Sequence, residues 1–230
     1  DLAGVGAETT RTLRLALTFL VPSSLAFIAL GLPFSRLAFG HGANADGGWS
    51  AIGWTLMALA LGLIPFTIQY VYLRGFYALE DTRTPFFLQL AISVVNIAVG
   101  LGIVAVFHDP MTVAPRLGVA YSVAYTVGAW ITFRALQKRL PGLSGREVAQ
   151  HTVRLVLAVL PGALFAGLLA WLTRDSGFGV VLAAFVLSIA IAGLGFVVLA
   201  RRLRIAEMAD LITALRRRGR TDGPGGPGGS

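Results

Sequence analysis

The sequence predicts an all-α, polytopic membrane bundle of six transmembrane helices. Three observations carry that reading. Six long apolar runs, near residues 15–33, 51–73, 86–107, 117–132, 155–172 and 179–200, organise the chain. Most reach the roughly 20 residues that a helix needs to cross a bilayer core. Hydrophobic residues make up 56% of the 230 and charged residues 13%, against about 25% charged in soluble domains. The Lys and Arg residues, finally, are unevenly shared between alternate connectors, 16 on one side and 3 on the other. The positive-inside rule makes the richer side cytoplasmic. Both ends of the chain then lie inside, and three short loops lie outside.

Each element has its own signature. The first run contains Pro22 and Pro33, and the second contains Pro65. Proline favours a kink in a spanning helix and is tolerated where neighbouring helices satisfy the backbone. Residues 40–48, rich in Gly, Asn and Asp, read as a loop, and Trp49 and Trp54 suit an outer interfacial anchor. The second helix places Thr67, Tyr70 and Arg74 on one face near its inner end. Gln89, Ser93, Asn96 and Gly100 form a polar stripe on the third. The fourth carries Ala120, Ala124 and Gly128 at four-residue spacing, which permits close helix approach.

The last two runs lack such stripes. Apart from the indole of Trp171, residues 155–172 carry no polar side chain, and residues 179–200 carry only Ser188. The charged connector before them, with Pro141-Gly142, therefore reads as a boundary. The predicted organisation is four transporter-like helices (1–136), a cytoplasmic basic connector (137–154) and a peripheral, lipid-facing hairpin (155–200). A basic amphipathic helix (201–218) and a flexible Gly/Pro linker (219–230) follow.

Composition also excludes several classes of function. The net charge of +8 gathers at predicted membrane ends, so anionic lipids rather than nucleic acid are the expected partners. Without cysteine there is no disulfide or thiolate metal site. His41, His108 and His151 are scattered, and solvated loop histidines are the expected reading; no metal or cofactor is implied. No nucleophile–base pair or nucleotide-binding loop occurs, so the chain does not read as an enzyme. It begins at Asp1 without Met or a signal peptide and reads as an internal fragment or a trimmed form of a longer protein.

The sharpest local signal is Arg74-Gly75-Phe76-Tyr77-Ala78-Leu79-Glu80-Asp81-Thr82-Arg83-Thr84-Pro85. Thr84 before Pro85 suits a helix start, with a hydroxyl cap and proline in the first turn. Two acids and two bases within ten residues can form an ion-pair network at the inner face, or simply a turn with solvated charges. Gln89, Ser93 and Asn96, with Thr67 and Tyr70, suit either a substrate path or hydrogen bonds between helices.

The 74–85 string, with Asn96 in the following helix, resembles the MurJ (MviN) family of lipid II flippases in the multidrug/oligosaccharidyl-lipid/polysaccharide exporter superfamily. The stretches Leu37-Ala38-Phe39-Gly40-His41-Gly42 and Leu61-Gly62-Leu63-Ile64-Pro65 support the likeness. His41 stands where that family often has a basic residue. The resemblance spans roughly residues 11–136. It implies helices nine to fourteen of a fourteen-helix protein whose missing N-terminal lobe faces this one. By that likeness the substrate is lipid II or a related polyprenyl-pyrophosphate glycan, moved across the bacterial cytoplasmic membrane by alternating access. Arg74, Glu80, Asp81 and Arg83 become candidates for an inner gate, and the apolar hairpin helps form a groove for the lipid tail. A cytoplasmic domain after the linker is compatible with the family. Export of another polyprenyl-linked glycan or a drug, or a scaffold that recruits a cytoplasmic partner, are the competing readings.

Overall fold

A computed structural model describes residues 2–44 and 47–202. They form six helices: α1 (Leu2–Phe39), α2 (Gly48–Ala78), α3 (Arg83–Val106), α4 (Pro110–Gln137), α5 (Gly145–Leu172) and α6 (Phe178–Arg202). A short 3₁₀ turn, Gly42–Asn44, lies between α1 and α2. The basic amphipathic helix and the linker expected beyond residue 202 fall outside the described residues.

Five of these helices are long and apolar enough to cross a membrane; α4 is not among them. Its 28 residues suffice in length, but Arg116, Tyr121, Ser122, Tyr125, Thr126 and Arg134 dilute its apolar character. Packing nonetheless aligns α4 with a span. Its contact with α2 is the most extensive in the bundle, and the two run parallel. Gly118 meets Ala58, Ser122 meets Gly62, and Leu136 meets Gly75.

Helices adjacent in the chain pack antiparallel, whereas α1 and α5 run parallel, with Thr10 at Ser144 and Thr18 at His151. Against α1, α2 is antiparallel, with Gly31 beside Met57 and Gly53 beside Leu32. Likewise α3 is antiparallel to α4, with Ile92 against Gly128 and Leu117 against Gly100. Gly128 of α4 thus serves α3, while Gly118 and Ser122 serve α2. The α5–α6 hairpin packs on itself and on α1. One end of the bundle therefore gathers the start of α1, the α2–α3 turn and the α4–α5 loop, which is the basic end. The other three connectors meet at the opposite end.

The core concentrates at the basic end. Leu13, Leu17 and Val21 of α1 meet Val71, Tyr72 and Phe76 of α2, Leu136 of α4, and Leu155 of α5. Leu140 and Leu143 of the connecting loop and Val148 of α5 complete this cluster. Elsewhere the bundle shows apolar side chains outward. Much of α3 is uncovered, including Phe86, Phe87, Ile97 and Leu101, and so are Leu164, Leu168, Leu187 and Leu194 of the hairpin.

Residues 134–154 are mostly helical. Loop structure is confined to 138–144, and α5 begins ten residues before its apolar run. Ser144 accepts a hydrogen bond from the Glu147 N–H at 3.3 Å, the Ser-x-x-Glu pattern of a helix start. One histidine reading is corrected as a result. His151 is not a solvated loop residue: only 6% of it is exposed. Its Nε2 lies 3.0 Å from the Thr18 hydroxyl and 3.0 Å from the Arg14 carbonyl. The added turns of α5 carry it against α1, where polar partners replace water.

Candidate transport face and basic-end gate

The α2–α3 turn is built by backbone geometry first. N–H groups of Glu80 and Asp81 donate to the carbonyls of Tyr77 and Phe76, each at 3.0 Å. This paired closure of a helix end places one residue in the left-handed region, where glycine is usual. Here that residue is Glu80, with φ of 57°. Asp81 then caps α3. Its carboxylate accepts from the Thr84 N–H at 3.0 Å and the Thr84 hydroxyl at 2.6 Å. Thr84 is therefore not the cap that its place before Pro85 suggests. It donates to the carboxylate, a stronger acceptor than a hydroxyl, and α3 starts at Arg83.

Asp81 also pairs with Arg139 from the α4–α5 loop. Arg139 in turn lies over the Phe76 ring, 5.7 Å from its centre. The two Thr84 hydrogen bonds, joined by the Arg139 contact, pull the Asp81 carboxyl down to about 2. The acid of the motif thus clamps two loops 58 residues apart in the chain, instead of pairing with Arg74 or Arg83. Glu80, Arg83 and Arg74 are exposed. Arg74 borders a shallow cavity of about 230 Å³, shared with Glu8, Thr9 and Thr12 of α1. Glu8 escaped the sequence reading, since nothing local ties it to Arg74.

The polar stripe of α2 grows into a larger surface. Arg74 stands over the Tyr70 ring at 4.9 Å and donates to its hydroxyl at 3.2 Å. Tyr70 stacks on Phe66 with ring centres 6.5 Å apart. Phe66 reaches Tyr125 of α4 at 5.1 Å and Tyr121 at 6.4 Å, and those two tyrosines meet at 4.5 Å. Gln89 of α3 donates to the Tyr125 hydroxyl at 3.3 Å. Of the residues expected to line a path, Tyr70 and Gln89 are thus joined through aromatic rings. Thr67 turns its hydroxyl onto the Leu63 carbonyl of its own helix, at 3.0 Å. Ser93 and Asn96 are half-buried farther along α3. Phe66, Tyr121 and Tyr125 were missed, although aromatic residues four apart on two helices were there to be read.

Opposite the basic end, a cavity of about 620 Å³ opens between α1–α2 and the hairpin. Ile28, Leu32, Met57 and Val181 line it, with Trp49, Trp171 and Arg36 also in its wall. The Arg36 guanidinium donates to the carbonyls of Arg174 and Ser176, pinning the α5–α6 turn to the end of α1.

Apolar helices of this length, running up and down in chain order and carrying one polar-aromatic face on α2, α3 and α4, define a multi-pass membrane protein. The family follows from comparison with known proteins. The family model described as lipid II flippase MurJ matches residues 4–189, and the chain belongs to that family. A protein of Rhizobium meliloti named "Probable lipid II flippase MurJ" is 29% identical over 69% of this chain and 28% of its own length. The "Lipid II flippase MurJ" of Thermosipho africanus is 30% identical over 50% of this chain and 23% of its own length. A "Probable lipid II flippase MurJ" of Thermotoga maritima is 29% identical over 60% of this chain and 29% of its own length. The matches therefore span less than a third of those relatives. No solved structure matches the chain significantly.

Proposed function

We propose that this chain forms the second half of a flippase that carries a polyprenyl-pyrophosphate-linked peptidoglycan precursor, lipid II, across a bacterial cytoplasmic membrane. The observation that carries this reading is the face made by α2, α3 and α4. Hydroxyls, an amide and a guanidinium gather there on a bundle otherwise coated with apolar side chains. Such groups are costly against hydrocarbon and belong beside water, protein or a polar cargo. The headgroup crosses along this face while the prenyl tail stays in lipid, and two lobes rock around it without covalent chemistry.

On this reading Thr67, Tyr70, Gln89, Ser93 and Asn96 line the path. Arg74 and Arg83, exposed at the basic end, close the inner gate against acids of the opposite lobe, with Glu80 beside them. Asp81 holds the gate's two loops together through Arg139. The basic end is cytoplasmic, in line with the 16-to-3 division of Lys and Arg. The wall of the 620 Å³ cavity offers the tail an apolar surface next to the hairpin.

The test is complementation by a full-length protein that carries this chain. Arg74→Ala and Arg83→Ala, each as the sole copy and at normal abundance, are expected to stop growth and precursor translocation. Growth at the unmodified rate by both variants would remove the gate from this account.

A further inference from the structure

We infer that the rings of Phe66, Tyr70, Tyr121 and Tyr125 form a carbohydrate-binding wall, and that Arg74 at its basic end takes the pyrophosphate of the same cargo. This inference rests on the proposed function and names which part of the cargo each group holds.

Several observations converge on it. Phe66, Tyr70 and Arg74 succeed one another every four residues on α2. At 1.5 Å per residue they cover about 12 Å along the helix, a length suited to linked sugar rings. Phe66 and Tyr70 are 37% and 51% exposed; beyond the surface taken by Arg74 and by each other, part of each ring stays uncovered by the chain. The C–H faces of pyranose rings carry slight positive charge and stack on aromatic faces, whose quadrupole is negative. Hydroxyls on three of the four rings, with the Gln89 amide held at Tyr125, place donors and acceptors at the edge of that stack. Sugars need this combination of apolar face and polar rim.

Charge orders the wall. The Arg74 guanidinium stands at one end, against Tyr70, and the rings run away from it toward the bundle's middle. A cargo whose anionic diphosphate adjoins its first sugar matches that order. Lipid is a poor occupant, because three phenolic hydroxyls and an amide would face hydrocarbon. A bare protein helix has no reason to require the cation-then-rings sequence.

The experiment measures binding of two ligands to the full-length purified protein: a polyprenyl pyrophosphate without sugars, and the same lipid bearing its disaccharide. Phe66→Leu and Tyr70→Leu are expected to weaken binding of the sugar-bearing lipid at least tenfold and to leave the sugarless lipid within twofold. Arg74→Gln is expected to weaken both. Tyr125→Phe, which keeps the ring and removes the hydroxyl that bonds Gln89 and Tyr121, should cost the sugar-bearing lipid about threefold and leave the sugarless lipid within twofold. Equal losses for both lipids in the leucine variants, or no loss for either, would overturn the wall. Unmodified protein that binds neither lipid would instead overturn the proposed function, and the wall with it.

Discussion

Replacing Glu80 by glycine separates a backbone effect from a charge effect at the proposed gate. Glu80 closes α2 at φ 57°, a conformation that costs a non-glycine residue about 1–2 kcal/mol. Glycine removes that cost and returns about 0.4–1 kcal/mol of it through a freer unfolded chain. The exposed carboxylate makes no hydrogen bond or ion pair recorded among the described residues, so its loss adds little. Glu80→Gly should therefore stabilise by up to about 1.5 kcal/mol; each kcal/mol raises the midpoint by about 2–4 °C at this chain's length and by less in the full-length protein. Glu80→Ala keeps the strained backbone and should melt with the unmodified protein. The assay is thermal unfolding of the full-length protein in detergent, paired with translocation of the precursor lipid. If the carboxylate serves the gate, both variants lose transport while only glycine gains stability. A lower midpoint for Glu80→Gly than for Glu80→Ala would refute the backbone argument. Full transport by both would take Glu80 out of the gate.

Two further outcomes follow from the packing and the loop clamp. A Cβ on Gly62 would lie 2.6 Å from the Ser122 hydroxyl oxygen and 3.1 Å from its Cα. Gly62→Ala should cost about 1–3 kcal/mol by overpacking the α2–α4 seam, and Ser122→Gly in the same protein should recover much of it. An unchanged melting midpoint for the single variant would contradict the parallel pairing of those helices. Asp81 titrates at about 2, below its usual 3.8. A lowered folded value means its stabilisation is complete above about pH 4 and is lost as pH falls through about 2. Melting midpoints of the unmodified protein should thus fall faster than those of Asp81→Asn over that window; parallel curves would exclude the clamp.

Local chemistry alone determined the helices and their alternation. Runs of about 20 apolar residues admit one hydrogen-bond-satisfied conformation in lipid, and the spacing of Lys and Arg is visible without coordinates. The 74–85 motif carried the family. Tertiary structure decided which side chains meet. Hydrophobic patterning drives no pairing between helices in lipid, where any apolar face is as well solvated as another; close packing and hydrogen bonds choose instead. Those contacts join distant residues: Asp81 to Arg139, Thr18 to His151, Phe66 to Tyr125. No motif of ten residues contains both members of such a pair. The α5 start at Ser144 was legible in Ser-x-x-Glu, whereas the burial of His151 was not, because it depends on α1 lying parallel to those first turns. The aromatic wall has the same origin. Its rings are four apart on each of two helices, and only the parallel seam at Gly62 and Ser122 brings the two pairs together.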